Sequence, residues 1–143
     1  MRHANRLTLG GLGLAALLLV GCTPQAEAAP PPAVKVEKIE GTDLSRLTLS
    51  PQAAQRLGLE TAQVTSGAGW TVVPYAAVLY DLDGATWVYT NPADLEFVRH
   101  AITIDRITGD RALLTDGPPI GTRVVTVGVA ELHGAEAGIG GGH

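Results

Sequence analysis

The chain has 143 residues, of which 45% are hydrophobic and 17% charged, and it carries a net charge of −4. This length suits one folded domain with an apolar core. The acidic balance and the lack of a basic cluster argue against a nucleic-acid partner and against electrostatic binding to anionic lipid. Only one cysteine is present, so an intrachain disulfide is excluded and the core must hold the fold together.

The first 21 residues have the pattern of an export signal. Arg2, His3 and Arg6 give a positively charged start, and residues 7–20 carry no charge. This apolar run is shorter than the roughly 20 residues that cross a hydrocarbon core, but it suits the apolar part of a cleaved signal peptide. We therefore expect residues 1–21 to be a signal peptide, with an uncleaved membrane anchor as the alternative.

The segment Leu19-Val20-Gly21-Cys22 closes the apolar run. It resembles a bacterial lipobox, in which a peptidase cuts before the cysteine and the thiol carries diacylglycerol. The residue types suit this chemistry, because Gly21 is small enough to enter a peptidase and Cys22 supplies the thiol. The resemblance implies lipid attachment at Cys22 and a protein held on the extracytoplasmic side of a membrane in the cell envelope. A cysteine buried in the fold is the alternative.

A short spacer follows the cysteine. Residues 22–33 contain four Ala and four Pro, and the consecutive prolines 30 to 32 favour extended polyproline geometry. We expect this segment to be a tether that separates the lipid from a β-rich domain over residues 34–133.

The first half of that domain mixes strands with one short helix. Ser50 can cap a helix and Pro51 suits its first position, whereas Gly58 suits the left-handed residue that ends a helix. The predicted segments are a strand over residues 34–39 with alternating apolar and charged side chains, a helix over 51–57, a strand over 59–64 and a flexible joint over 65–69.

The second half has an all-β pattern that begins with a hairpin. The dipeptide Asp83-Gly84 lies between two apolar runs, which is the strongest local signal for a two-residue hairpin turn. That turn pairs residues across the hairpin as follows: Tyr80 with Trp87, and Val78 with Tyr89. A three-residue loop would shift this register. We interpret the aromatic face as sheet core, with an exposed face that stacks on sugars or other ligands as the alternative.

Several short strands complete the domain. The predicted segments are a chain break at residues 91–94, a strand over 96–107, a strand over 111–114, a strand over 123–127 and a flexible Gly-rich tail over 134–143. Closely spaced strands with a single small helix predict a mainly β fold, either a small β-barrel or a sandwich.

The sequence offers few groups for catalysis or metal binding. Asp81 and Asp83 stand beside a turn, where aspartate is favoured for backbone reasons. The candidate metal ligands are His133, Glu136 and His143, although no motif joins them. We expect a protein that is not an enzyme and has no cofactor and no resident metal. A ligand- or metal-binding surface lipoprotein is the alternative.

A series of β-sheet motifs suggests a family. The motifs, in chain order, are Pro74-x-x-Ala77-Val78-Leu79, Gly84-x-x-Trp87-Val88-Tyr89, Val98-x-x-x-Ile102-Thr103-Ile104, Gly109-Asp110-x-Ala112 and Gly121-x-x-Val124-Val125-x-x-Gly128. This order, over residues 72–132, resembles the C-terminal, membrane-proximal portion of the periplasmic adaptor (membrane-fusion) subunits of resistance-nodulation-division (RND) efflux pumps.

The resemblance implies a role in contact and scaffolding, because in the family this portion packs against the inner-membrane transporter. The chain departs from the family in having neither the long helical hairpin nor the heptad pattern that would build one. The resemblance therefore implies a lipid-anchored adaptor-like protein, with an inner-membrane efflux transporter or another envelope protein as partner. No catalytic or binding residue of the family carries over to this chain.

Overall fold

The computed structural model describes residues 29–138, so the signal peptide, the lipid site at Cys22 and the candidate ligand His143 lie outside the described residues. The strands are β1 Val34–Lys38, β2 Ser45–Leu49, β3 Glu60–Gln63, β4 Thr65–Gly67, β5 Trp70–Pro74, β6 Leu79–Tyr80, β7 Thr86–Ala93, β8 Glu96–Thr108, β9 Arg111–Asp116 and β10 Arg123–Val127. The helices are α1 Pro51–Leu57 and α2 Val129–Glu136, with a 3-10 turn at Tyr75–Ala77.

The strands form one curled antiparallel sheet in the order β3-β10-β7-β8-β9-β5-β4. Its first and last strands, β3 and β4, are separated in the chain by Val64 alone, so the sheet bends back towards itself as a half-barrel. Strand β2 pairs with β1 and with the start of β8, and β6 pairs with β7. The mainly β, barrel-like fold expected from the sequence is confirmed.

Both faces of the central strands are buried. The inner cluster lies within the curl of the sheet and contains Val64, Val73, Ala77, Val88, Ile102, Ala112, Leu114 and Val124. The outer cluster lies on the opposite face and contains Leu47, Leu49, Ala53, Tyr89, Phe97, Val125 and Leu132. Neighbouring residues such as Val88 and Tyr89 fall in different clusters because successive side chains of a strand point to opposite faces.

Helix α1 has the boundaries that its sequence predicted. The Ser50 hydroxyl accepts a 3.2 Å hydrogen bond from the Ala53 amide, and Gly58 ends the helix with a φ of 59°. These are local interactions of the helix ends, so the sequence alone contains them. Neither helix within residues 29–138 is long and apolar enough to cross a membrane.

Helix α2 is a second helix that the sequence analysis did not predict. It begins after Gly128, which has a φ of 93°, and it extends through Glu136, three residues into the stretch expected to be a flexible tail. The helix packs Leu132 against the outer cluster, where that side chain is fully buried. This burial offsets the low helix propensity of the Gly-containing sequence.

Two further predictions were wrong. Residues 65–69 form strand β4 and a turn into β5, because the backbone of β4 pairs with β5 from Thr65 to Gly67. Strand β7 continues through the proposed break as far as Ala93. Its register with β8 shifts between Thr90 and Ala93, and the side-chain amide of Asn91 bridges this irregularity by donating to the carbonyls of Ala93 and Glu96. The turn into β8 lies later, next to Leu95, whose φ is 61°.

Candidate functional site

The β6–β7 hairpin has a different register from the predicted one. Leu79 faces Trp87 and Tyr80 faces Thr86, which is a shift by one residue. The reason is a three-residue loop, as the Asp81 amide donates to the Ala85 carbonyl at 3.0 Å and the Gly84 amide donates to the Asp81 carbonyl at 3.1 Å. Gly84 takes the left-handed conformation, with a φ of 82°, that such a loop requires at its last position.

The Asp81 carboxylate selects this loop. It accepts hydrogen bonds from the Asp83 amide at 3.0 Å, the Ala85 amide at 2.9 Å and the Trp87 indole N–H at 2.9 Å. The indole hydrogen bond, followed by the two amide bonds and the charge of Arg99, holds the pKa of Asp81 below its usual range. These three hydrogen bonds form in the three-residue loop and favour it over a two-residue turn at Asp83-Gly84. The register predicted from that dipeptide was therefore wrong.

The shifted register divides the aromatic side chains. Tyr89 is fully buried in the outer cluster, as the interpretation of a sheet core requires. Tyr80 lies on the other face and is 50% exposed. It neighbours Tyr75, and the interaction with the Tyr75 side chain, followed by burial, raises the pKa of Tyr80. The single aromatic face predicted from the sequence is therefore two separate surfaces.

A polar network joins the outer cluster to helix α2. The Tyr89 hydroxyl donates to Oε2 of Glu136 at 2.6 Å, and Nε of Arg99 lies 2.8 Å from the same oxygen. The Arg99 N–H is not aligned for a hydrogen bond, so this contact is an ion pair. The Arg99 guanidinium also lies 4.6 Å from the ring centre of Trp87. Burial, followed by the interactions with Glu136, raises the pKa of Tyr89 well above its usual range.

The network uses one of the three candidate metal ligands. Glu136 is occupied by Tyr89 and Arg99, and its side chain is only 8% exposed. His133 is partly buried on the same helix, where Nδ1 has no hydrogen-bond partner among the described residues. No group of three or more His, Cys, Asp or Glu residues that could hold a metal ion occurs within residues 29–138. Glu136 therefore joins α2 to the sheet through Tyr89 and Arg99.

The hairpin also presents apolar surface to solvent. Leu82 at its tip is fully exposed, and Tyr75, which neighbours Tyr80, is 42% exposed. An open groove of about 410 Å³ lies between the hairpin loop and β8, lined by Tyr80, Gly84, Trp87 and Ile104 among others. Exposed apolar side chains next to a groove are typical of contact surfaces in proteins.

The spacer enters the fold at the end of the sheet opposite the hairpin. The Ala33 carbonyl accepts from the Ser50 amide, and the adjacent Leu49 amide donates to Leu95, at the turn between β7 and β8. The hairpin lies at the start of β7, at Thr86. Strand β7 has eight residues, so at about 3.3 Å per residue these two ends are roughly 25 Å apart.

Comparison with known proteins gives no match, since neither a protein-family model nor a curated protein sequence is significantly similar to the chain.

Proposed function

We propose that the chain is a lipid-anchored, non-enzymatic protein of the bacterial cell envelope that contacts a membrane protein, in the manner of an adaptor. The observation that carries this proposal is the opposite placement of the spacer and the hairpin. A lipid on Cys22 would hold the end near Ala33 towards the bilayer, and the exposed tip at Leu82 would then point away from the tethered end.

The lipid anchor rests on the sequence at Cys22. Two or more acyl chains, each contributing about 0.8 kcal/mol per buried methylene, hold a protein stably on a membrane. The exposed spacer at residues 29–33 is compatible with such a tether. The resemblance of residues 72–132 to RND adaptor subunits is the reason for proposing an inner-membrane efflux transporter as the partner.

The described polar groups support a scaffolding role. The most buried carboxylate–arginine pair, Glu136 with Arg99, joins a helix to the sheet, and the Asp81 carboxylate closes the hairpin loop. Each of these side chains has its partners within the domain. We assign the contact to the exposed apolar side chains Tyr75, Tyr80 and Leu82.

The anchor is tested by metabolic labelling with a clickable palmitate analogue. Wild-type protein should be labelled, and Cys22→Ser should not, because the thiol that carries the lipid is gone. Equal labelling of the two proteins would refute the anchor. Calorimetric titration with zinc and copper tests the alternative class, since saturable binding would favour a metal-binding lipoprotein.

The contact surface is tested by placing a photo-crosslinking amino acid at Leu82 in whole cells. A matched control carries it at Val36, which is 43% exposed on β1. The Leu82 probe should capture an integral membrane protein that the Val36 probe captures far less. Equal capture by the two probes, or no capture at Leu82, would contradict the proposed partner surface.

A further inference from the structure

The second half of β8 has one unpaired edge. Strand β7 pairs with β8 only as far as Thr86 opposite Ile102. Beyond that point, residues 103–108 pair with β9 alone, and the sheet order places β7 and β9 on opposite edges of β8. The edge on the β7 side is therefore free of any strand within residues 29–138. A free edge offers backbone donors and acceptors to another extended segment.

The sequence of this edge is complementary to itself. It reads Thr103-Ile104-Asp105-Arg106-Ile107-Thr108, so the second half repeats the first in reverse, with arginine in place of aspartate. If two copies pair in antiparallel orientation about its centre, threonine faces threonine and isoleucine faces isoleucine. Asp105 of each copy then faces Arg106 of the other, which gives two ion pairs.

A two-fold axis between antiparallel strands requires that facing residues lie on the same side of the sheet. In a regular strand Ile104 and Ile107 would lie on opposite sides. An irregularity between Ile104 and Arg106 changes this, since Ile104 faces Leu114 and Ile107 faces Ala112, and both partners belong to the inner cluster. The two isoleucines therefore share one side of the sheet.

The same irregularity places the two charged residues together. Asp105 and Arg106 are adjacent in the chain, yet their side chains meet at 2.9 Å, which successive residues of a regular strand would not do. The Asp105 side chain is 33% exposed and the Arg106 side chain 54% exposed. The Arg106 guanidinium also lies 5.2 Å from the ring centre of Trp70. Pairing with a second copy therefore exchanges the contact within the chain for the equivalent contact between copies, and it moves Arg106 away from Trp70.

We propose that the chain forms a two-fold symmetric dimer in which residues 103–108 of two copies pair edge to edge. The partner is a second copy of this chain. Within the described residues, residues 103–108 are the segment whose isoleucines and opposite charges align with those of residues 103–108 in antiparallel orientation. Ile107 is 44% exposed in the single chain. In the dimer it faces Ile104 of the other copy, beside the groove that Tyr80 and Gly84 line. Such an isologous contact closes after two copies.

The test is sedimentation equilibrium of the full-length chain in density-matched detergent, over a wide range of protein concentration. The variants are Asp105→Arg, Arg106→Asp and the double exchange. Each single change places like charges opposite each other twice per dimer, and it should weaken dimerisation about tenfold or more. The double exchange restores both ion pairs and should restore the dimer. Arg111→Asp, on β9, makes the same charge change away from the free edge and should leave the dimer unchanged.

Circular dichroism of each variant establishes that it is folded. A wild-type chain that stays monomeric at every concentration would overturn the proposal. It would also be overturned if the single variants dimerise as well as Arg111→Asp, or if the folded double exchange fails to dimerise. Because none of these measurements depends on Cys22 or on a transporter, failure of the proposed function would leave the dimer intact.

Discussion

Glu136 and Tyr89 lie 47 residues apart in the chain, yet the tyrosine hydroxyl donates a 2.6 Å hydrogen bond to the glutamate carboxylate. Arg99 on the neighbouring strand lies 2.8 Å from the same oxygen. The contact joins the last helix to the centre of the sheet, and it orders a Gly-containing segment that would be a weak helix by itself. The stability of α2 therefore depends on this one carboxylate and on the burial of Leu132.

Glu136→Ala should destabilise the domain by about 1–3 kcal/mol, because it leaves the buried Tyr89 hydroxyl and the Arg99 guanidinium without their shared partner. Glu136→Gln keeps an acceptor for the hydroxyl and should lose less. The measurement is urea denaturation followed by circular dichroism.

Glu131→Ala is the matched control for that measurement. Glu131 is an exposed carboxylate on the same helix with no hydrogen bond or ion pair among the described residues. Its removal should cost less than about 1 kcal/mol, the usual size of a charge effect in the first turn of a helix. Equal losses for the two alanine variants would mean that the network does not hold α2.

Tyr89 should make the domain sensitive to alkali. Its pKa is raised in the folded protein, chiefly by burial, whereas a tyrosine in the unfolded chain ionises at about pH 10. Below about pH 10 both states hold the proton, and above it the unfolded state loses its proton first. Stability should thus fall by about 1.4 kcal/mol per pH unit as the pH rises above that value.

The check is urea denaturation of wild type and Tyr89→Phe at several pH values between about 9 and 11. Phenylalanine cannot ionise, so its free energy of unfolding should decline less steeply, although it starts lower because the hydrogen bond to Glu136 is lost. All other ionisable side chains are common to the two proteins and cancel in the comparison. Parallel curves would show that Tyr89 ionises equally in the two states.

The sequence predicted the elements whose signals are local. The limits of α1 follow from Ser50 and Gly58, and the last strand follows from a bounded apolar run at residues 123–127. Helix α2 was missed because its stability comes from contacts with distant residues. The sequence does not show that Leu132 packs into the outer cluster. Nor does it show that Glu136 accepts a hydrogen bond from Tyr89.

The hairpin shows a second kind of failure. The dipeptide Asp83-Gly84 fits a two-residue turn, but Asp81 accepts three hydrogen bonds in the longer loop and selects it. The sequence places Asp81 two residues before Asp83, and an aspartate often accepts a hydrogen bond from the backbone amide two residues later. This was the signal that could have corrected the register. Its bond to the Trp87 indole, by contrast, depends on the register itself.

Gly84→Val should destabilise the domain by about 1–2 kcal/mol, because a β-branched residue resists the φ of 82° that the loop requires. No atom lies within 4 Å of the position that a Cβ would take, so backbone strain alone sets the loss. Gly84→Asn should lose less, since asparagine tolerates this conformation. Thermal denaturation measures both variants, and equal melting of Gly84→Val and wild type would contradict the loop.

Gly128→Ala tests how closely α2 approaches the sheet. An added Cβ would collide with the end of the Leu59 side chain, whereas Gly121, with a similar φ of 90° against 93°, has no atom within 4 Å of its Cβ position. Gly121→Ala therefore carries the backbone strain alone, and Gly128→Ala should cost about 1 kcal/mol more in urea denaturation. Adding Leu59→Ala to both variants should abolish that difference, because the colliding atoms are removed. A difference that persists without Leu59 would place the close contact elsewhere on the helix.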